Sequence, residues 1–62
     1  MKLNDLLIQA AKDGDIRAVK TLLEECANVN AKSNKGRTAL MFALDMGHED
    51  IASLLRNAGA RY

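Results

Sequence analysis

Cysteine and histidine are almost missing: Cys26 and His48 are the single representatives of their types in 62 residues. No disulfide can close within the chain, and one thiol with one imidazole falls short of the tetrahedral donor set of a zinc site. Proline is absent and no low-complexity tract occurs, so neither a linker nor a disordered tail is expected. A charge excess is missing too: nine Lys and Arg oppose eight Asp and Glu, a net charge of +1. A nucleic-acid partner would call for a strong basic surplus. No apolar run approaches the ~20 residues of a membrane span. The stretch Met1-Lys2-Leu3-Asn4-Asp5 puts an acid and an amide where a secretory leader needs an apolar segment. These absences point to a cytoplasmic protein with no membrane and no nucleic-acid partner. They also leave a small chain without the usual staples: it buries only roughly 60% of its unfolded surface and must rely on helix packing or self-association.

What is present is a repeat. Slid along itself by one constant offset, the chain sets Leu7, Ala10, Gly14, Leu22 and Ala27 on Leu40, Ala43, Gly47, Leu55 and Ala60. A period of this length marks a stacked repeat architecture. Between the copies runs a polar connector, Ala27 to Arg37, with three bases and no acid. It ends at Thr38, a helix-capping residue ahead of Ala39 and Leu40.

Four short helices are expected. The first follows Asn4 as N-cap and carries Leu3, Leu6, Leu7, Ala10 and Ala11 at helical spacing. Gly14 ends it by taking a left-handed conformation. The second runs from about Ile16 to Glu25, with Ile16, Val19, Leu22 and Leu23 on the apolar side and Arg17, Lys20, Glu24 and Glu25 on the wet side. The third runs from about Ala39 to Met46, with Leu40, Ala43 and Leu44 inward. The fourth, from about Glu49 to Ala58, buries Ile51, Leu54, Leu55 and Ala58 and stops at Gly59. Each half is a helical hairpin with one apolar face that it cannot bury alone, so the two must stack. The expected fold is all-α, a single domain over residues 1–62, with a first unit over about 3–31 and a second over about 34–62.

The second unit carries Gly36-Arg37-Thr38-Ala39-Leu40-Met41-Phe42-Ala43, Gly47-His48, Leu54-Leu55 and Gly59-Ala60; the first carries Leu22-Leu23 and Ala27-Asn28-Val29-Asn30-Ala31. In this order the chain resembles the ankyrin-repeat family over nearly its whole length. The family shows Gly-x-Thr-Pro-Leu-His-x-Ala, then Gly-His, Leu-Leu and Gly-Ala-Asp-Val-Asn-Ala at these places. The resemblance implies two stacked helix-turn-helix repeats joined by an extended β-turn connector. It also implies a non-catalytic protein-interaction module without cofactor.

The departures shape the expectation. Asp5-Leu6-Leu7-Ile8 stands where the first unit would have Thr-Pro-Leu-His; Ala39 and Met41 replace proline and histidine in the second. Arg56 puts a charge where the first unit has Leu23. The chain reads as a first, capping repeat joined directly to a last one, whereas stacks commonly need three. A minimal natural chain, an excised or engineered piece, and a protomer that pairs with another copy all fit. Cys26 occupies the place of Gly59 and of the family's glycine, so a strained left-handed cysteine is expected.

No catalytic, cofactor or metal residues emerge. His48 has no Ser or Cys beside it and reads as a helix-end hydrogen-bonding residue. Cys26 follows Glu24 and Glu25, which oppose a reactive thiolate. Asp13 with Asp15, and Glu49 with Asp50, lack calcium-loop spacing and suit helix ends instead. By family position, the partner-binding surface comprises Lys32, Asn34, Lys35, Arg37, Asp45 and Met46. Its charge favours an acidic patch on a partner protein. Met41 and Phe42 could fill the core or seal a self-association face. Two other functions compete: a self-associating or engineered scaffold with no outside ligand, and a small helix-turn-helix DNA binder over Leu7 to Ile16. The near-neutral charge and the acids at Glu24 and Glu25 weigh against the last.

Overall fold

The structure, a computed structural model, describes residues 2–61; the expected reach of the domain to residues 1 and 62 lies outside them. Four helices follow in order: α1 (Leu3–Asp13), α2 (Ile16–Glu24), α3 (Ala39–Asp45) and α4 (Glu49–Asn57). Among the described residues there is no strand, only an isolated antiparallel bridge between Lys32 and Thr38. The fold is all-α, as expected. The helices form two hairpins, α1–α2 and α3–α4, stacked so that α1 lies on α3 and α2 on α4.

Local chemistry sets the boundaries. Gly14 adopts φ +81° and its N–H donates to the Ala10 carbonyl, closing α1. Asp15 then caps α2: its side chain accepts the Ala18 N–H at 3.1 Å. Thr38 does the same for α3, its hydroxyl oxygen accepting from Met41 N–H at 3.3 Å. The second helix of each hairpin ends in the same way. Ala27 N–H reaches the Leu22 carbonyl at 3.0 Å, and Ala60 N–H the Leu55 carbonyl at 2.9 Å, each across a left-handed residue. In α4 that residue is Gly59; in α2 it is Cys26, at φ +69°.

The core is one cluster drawn from all four helices. Leu7, Val19, Ile51 and Leu55 are its largest fully buried apolar side chains, and Ala10, Ala11, Ala39, Ala43 and Ala52 let the backbones approach closely. Ile16, Leu23, Leu54 and Phe42 pack on its margin. The hairpins approach closely at the turn between α1 and α2. A Cβ on Gly14 would lie 2.8 Å from Cε1 of His48, so the imidazole sits directly over a backbone without a side chain. His48 stands at the N-cap of α4, yet its side chain makes no capping bond. Its role is to pack one hairpin on the other, not the helix-end hydrogen bond expected from sequence.

Other expectations need correction. Leu44 faces solvent, and so do Leu3 and Leu6, because helical spacing marks an apolar side without showing whether a neighbour covers it. Ala58 is exposed, lying just past the end of α4. Asn4 does not cap α1, whose N-cap is Lys2. Its side-chain oxygen instead accepts the Asn28 N–H at 2.8 Å, tying the start of the chain to the connector. Helices α2, α3 and α4 each stop one residue before the expected end, within the ordinary latitude of helix termini.

Asn30 closes the stack from the other side. Its amide nitrogen donates to the Gly59 carbonyl at 3.2 Å, and its oxygen accepts from Arg61 N–H at 3.1 Å. One side chain thus occupies both backbone groups flanking Ala60, as a neighbouring strand would.

The strain at Cys26 has a measurable consequence. Glycine at this φ removes a Cβ penalty of about 1 kcal/mol, which for a domain this small is roughly 4–8 °C. Cys26→Gly is expected to raise the midpoint of thermal unfolding by that amount, read by circular dichroism. An unchanged or lower midpoint would contradict the left-handed assignment.

Candidate functional site

The connector builds a rigid projecting tip from short-range bonds. Ser33 N–H donates to the Arg37 carbonyl at 2.8 Å, and Gly36 N–H to the Ser33 carbonyl at 2.9 Å. The Ser33 hydroxyl oxygen accepts from both Lys35 N–H and Arg37 N–H at 3.3 Å. With the Lys32–Thr38 bridge at its base, this makes a miniature hairpin whose turn, Asn34-Lys35-Gly36, stands in solvent. Thr38 joins the tip to α3 and is itself buried. The tip and the exposed side of the third helix are therefore held in one fixed relation.

Arg37 is the hinge of the charge arrangement. Its guanidinium forms an ion pair with Asp45 at the end of α3. The same group lies 5.2 Å from the centre of the Phe42 ring. Lys12, from the first hairpin, places its ammonium 6.0 Å from that ring. One cation from the first hairpin and one from the tip thus share one aromatic side chain. The Arg37–Asp45 pair is half-exposed and screened, so its contribution to stability is small. Its effect is to fix where the guanidinium sits. The Arg37 Nε–H is buried with no acceptor among the described residues.

Lys12, Ser33, Asn34, Lys35, Arg37 and Phe42 line an open hollow of about 610 Å³. Three cations, two neutral polar side chains and one aromatic ring make up the lining, and no carboxylate belongs to it. The hollow can receive an anionic group over an apolar floor. Phe42 packs on the margin of the core, the first of the two placements the sequence left open for Met41 and Phe42, and it also lines the hollow.

Of the six residues singled out by sequence, Asn34, Lys35 and Arg37 meet at this hollow. Asp45 is drawn in through Arg37. Lys32 is exposed at the foot of the tip, and Met46 is exposed beyond the end of α3, outside the lining. Lys12, Ser33 and Phe42 were missed. Lys12 had a signal: it stands one repeat period before Asp45, at the equivalent place of the first unit. Among the described residues no three His, Cys, Asp or Glu side chains converge to hold a metal ion.

Comparison with known proteins agrees with this architecture. A family profile described as Ankyrin repeats (3 copies) matches residues 2–62. A Rickettsia felis protein named as an ankyrin repeat protein, RF_p14, is 40% identical over 53 residues, covering 86% of this chain and 84% of that protein. Ankyrin repeat domain-containing protein 46 of Rattus norvegicus is 43% identical over 49 residues, 79% of this chain and 22% of that one. The human 2-5A-dependent ribonuclease is 45% identical over 58 residues, 92% of this chain, but the chain spans only 8% of its length.

The tip geometry is open to a direct check. Ser33→Ala removes the acceptor of two amides and is expected to speed hydrogen exchange at Lys35 and Arg37 roughly threefold to tenfold, as the loss of about 1 kcal/mol implies. Unchanged rates would show that the hydroxyl does not organise the turn. The fold, the recurring helical hairpin and the match over residues 2–62 make this chain a member of the ankyrin-repeat family.

Proposed function

We propose that this chain binds an acidic segment of another protein through the hollow beside its projecting tip. Ankyrin repeats serve in general as protein-interaction modules, and the family is generally non-catalytic. The finer reading concerns surface and partner. In it Lys12, Lys35 and Arg37 supply positive charge, Phe42 offers an apolar seat, and Ser33 and Asn34 offer hydrogen bonds. Lys32 strengthens the field from the foot of the tip, and Asp45 holds Arg37 in place. Met46 extends the surface along α3. The single observation that carries the reading is the convergence of a cation from the first hairpin and one from the tip on one ring.

The chain acts in this reading as one domain of two repeats, about 3–31 and 34–62, without cofactor and without nucleic acid. Its setting is the cytoplasm, in keeping with one free, exposed thiol at Cys26. No helix among the described residues is long and apolar enough to cross a membrane.

The rigid tip favours binding without large rearrangement, and opposite charge chiefly speeds encounter. Titration of the isotope-labelled protein with a hexaglutamate peptide tests this. Amide shifts are expected to cluster at residues 33–37, at Phe42 and at Lys12, and to shrink as salt rises. The double variant Lys12→Glu, Lys35→Glu is expected to weaken binding roughly tenfold, about 1.4 kcal/mol. Shifts scattered over the surface, or centred on α2 and α4, would contradict the reading.

A further inference from the structure

The two hairpins are equivalent under the repeat shift that carries Leu7 onto Leu40, so the interface inside the molecule predicts what each outward face would meet. The same positions differ sharply between inside and outside. Ala11 is 0% exposed where α1 packs on the second hairpin, whereas its equivalent Leu44 is 47% exposed on the far side of that hairpin. Ala39 is 1% exposed against the first hairpin, whereas its equivalent Leu6 is 37% exposed on the opposite end of the molecule. The molecule therefore ends in two different apolar faces, one around Leu6 and one around Leu44.

The faces are complementary in volume. On the Leu6 face, Ala18 and Thr21 stand at the places of Ile51 and Leu54. A hollow of about 570 Å³ lies on this face, lined by Leu6, Ala10, Ala18 and Leu22 together with the charged side chains of Asp13, Asp15 and Arg17. On the other face, Leu44 has replaced a small alanine and projects. Between two copies Leu44, the large residue at the place of Ala11, would face a hollow bordered by the small side chains of Ala10 and Ala18.

They are also complementary in charge. Between α2 and α4, Leu23 lies across a shallow cleft from Leu54, Asn57 and Ala58. Under the same repeat shift, Arg56 takes the place of Leu23, and Thr21, Glu24 and Glu25 take the places of the three facing residues. Arg56 of one copy would therefore meet Glu24 and Glu25 of the next.

We infer that a second copy of this chain stacks on the first head to tail, the Leu44 face of one copy seated in the Leu6 hollow of its neighbour with Arg56 against Glu24 and Glu25. The contact continues the repeat stack already present within the molecule. It is heterologous, so each added copy leaves both types of face open at the ends, and growth does not stop at two. The surface is separate from the tip and its hollow, so a ligand at Phe42 is compatible with the stack.

Sedimentation at increasing protein concentration, up to the millimolar range, tests this. The unmodified chain is expected to pass beyond twice the protomer mass. Leu6→Glu and Leu44→Glu are each expected to stay monomeric, with circular dichroism confirming that these exposed substitutions leave the helices folded. Mixed in equal amounts, the two variants are expected to form a one-to-one dimer and nothing larger, because one intact face of each type remains. Arg56→Glu is expected to weaken assembly roughly tenfold, and adding Glu24→Arg to restore it. A monomer at every concentration, a mixture that does not pair, or a closed dimer indifferent to these substitutions would overturn the inference.

Discussion

Everything in the molecule depends on one shared apolar face. Neither hairpin has an interior of its own: Leu7, Ala11 and Val19 are buried because Ala43, Ile51 and Leu55 lie opposite, and the reverse holds equally. The small residues at this face are as important as the large ones. Five core alanines bring the helices close, and Gly14 lets the His48 ring rest on the backbone of the first turn. With so little area to bury, each contact carries a large share of a small total stability. The stack is reinforced at its edge by Asn30, which joins the end of the first unit to the backbone on both sides of Ala60.

The surface chemistry follows from that packing. Stacking α1 on α3 brings Lys12 beside Phe42, although the two lie in different repeats and far apart along the chain. The tip adds Lys35 and Arg37 from a turn locked by Ser33. The basic hollow therefore belongs to neither repeat alone. It exists only when the two hairpins are in register, which ties any binding at this surface to the integrity of the core.

What the sequence disclosed well were local conformational demands. Thr38 before an apolar run, Gly14 between helices, and a cysteine in a glycine's place each impose a geometry within a few residues, and each is found as expected. The stacking of the two units followed from the period. Legibility failed where a residue's role depends on a distant partner. Asn4 reaches Asn28 and Asn30 reaches Gly59, and nothing in a local pattern separates those amides from a cap or a solvated loop. It failed likewise for Leu6 and Leu44: spacing shows which side of a helix is apolar but not whether another element lies against it. The candidate surface was half visible, because the tip is contiguous in sequence while Lys12 and Phe42 come from two different helices.

The central claim is that the two hairpins open only together. Native-state hydrogen exchange in mild denaturant tests it most directly, since it reports an opening free energy for each amide. The account predicts one common value for the core amides of Ala11, Leu22, Ala43 and Leu55, one from each helix. Core amides of one hairpin that remain protected while those of the other open at a free energy lower by more than about 1 kcal/mol would contradict it.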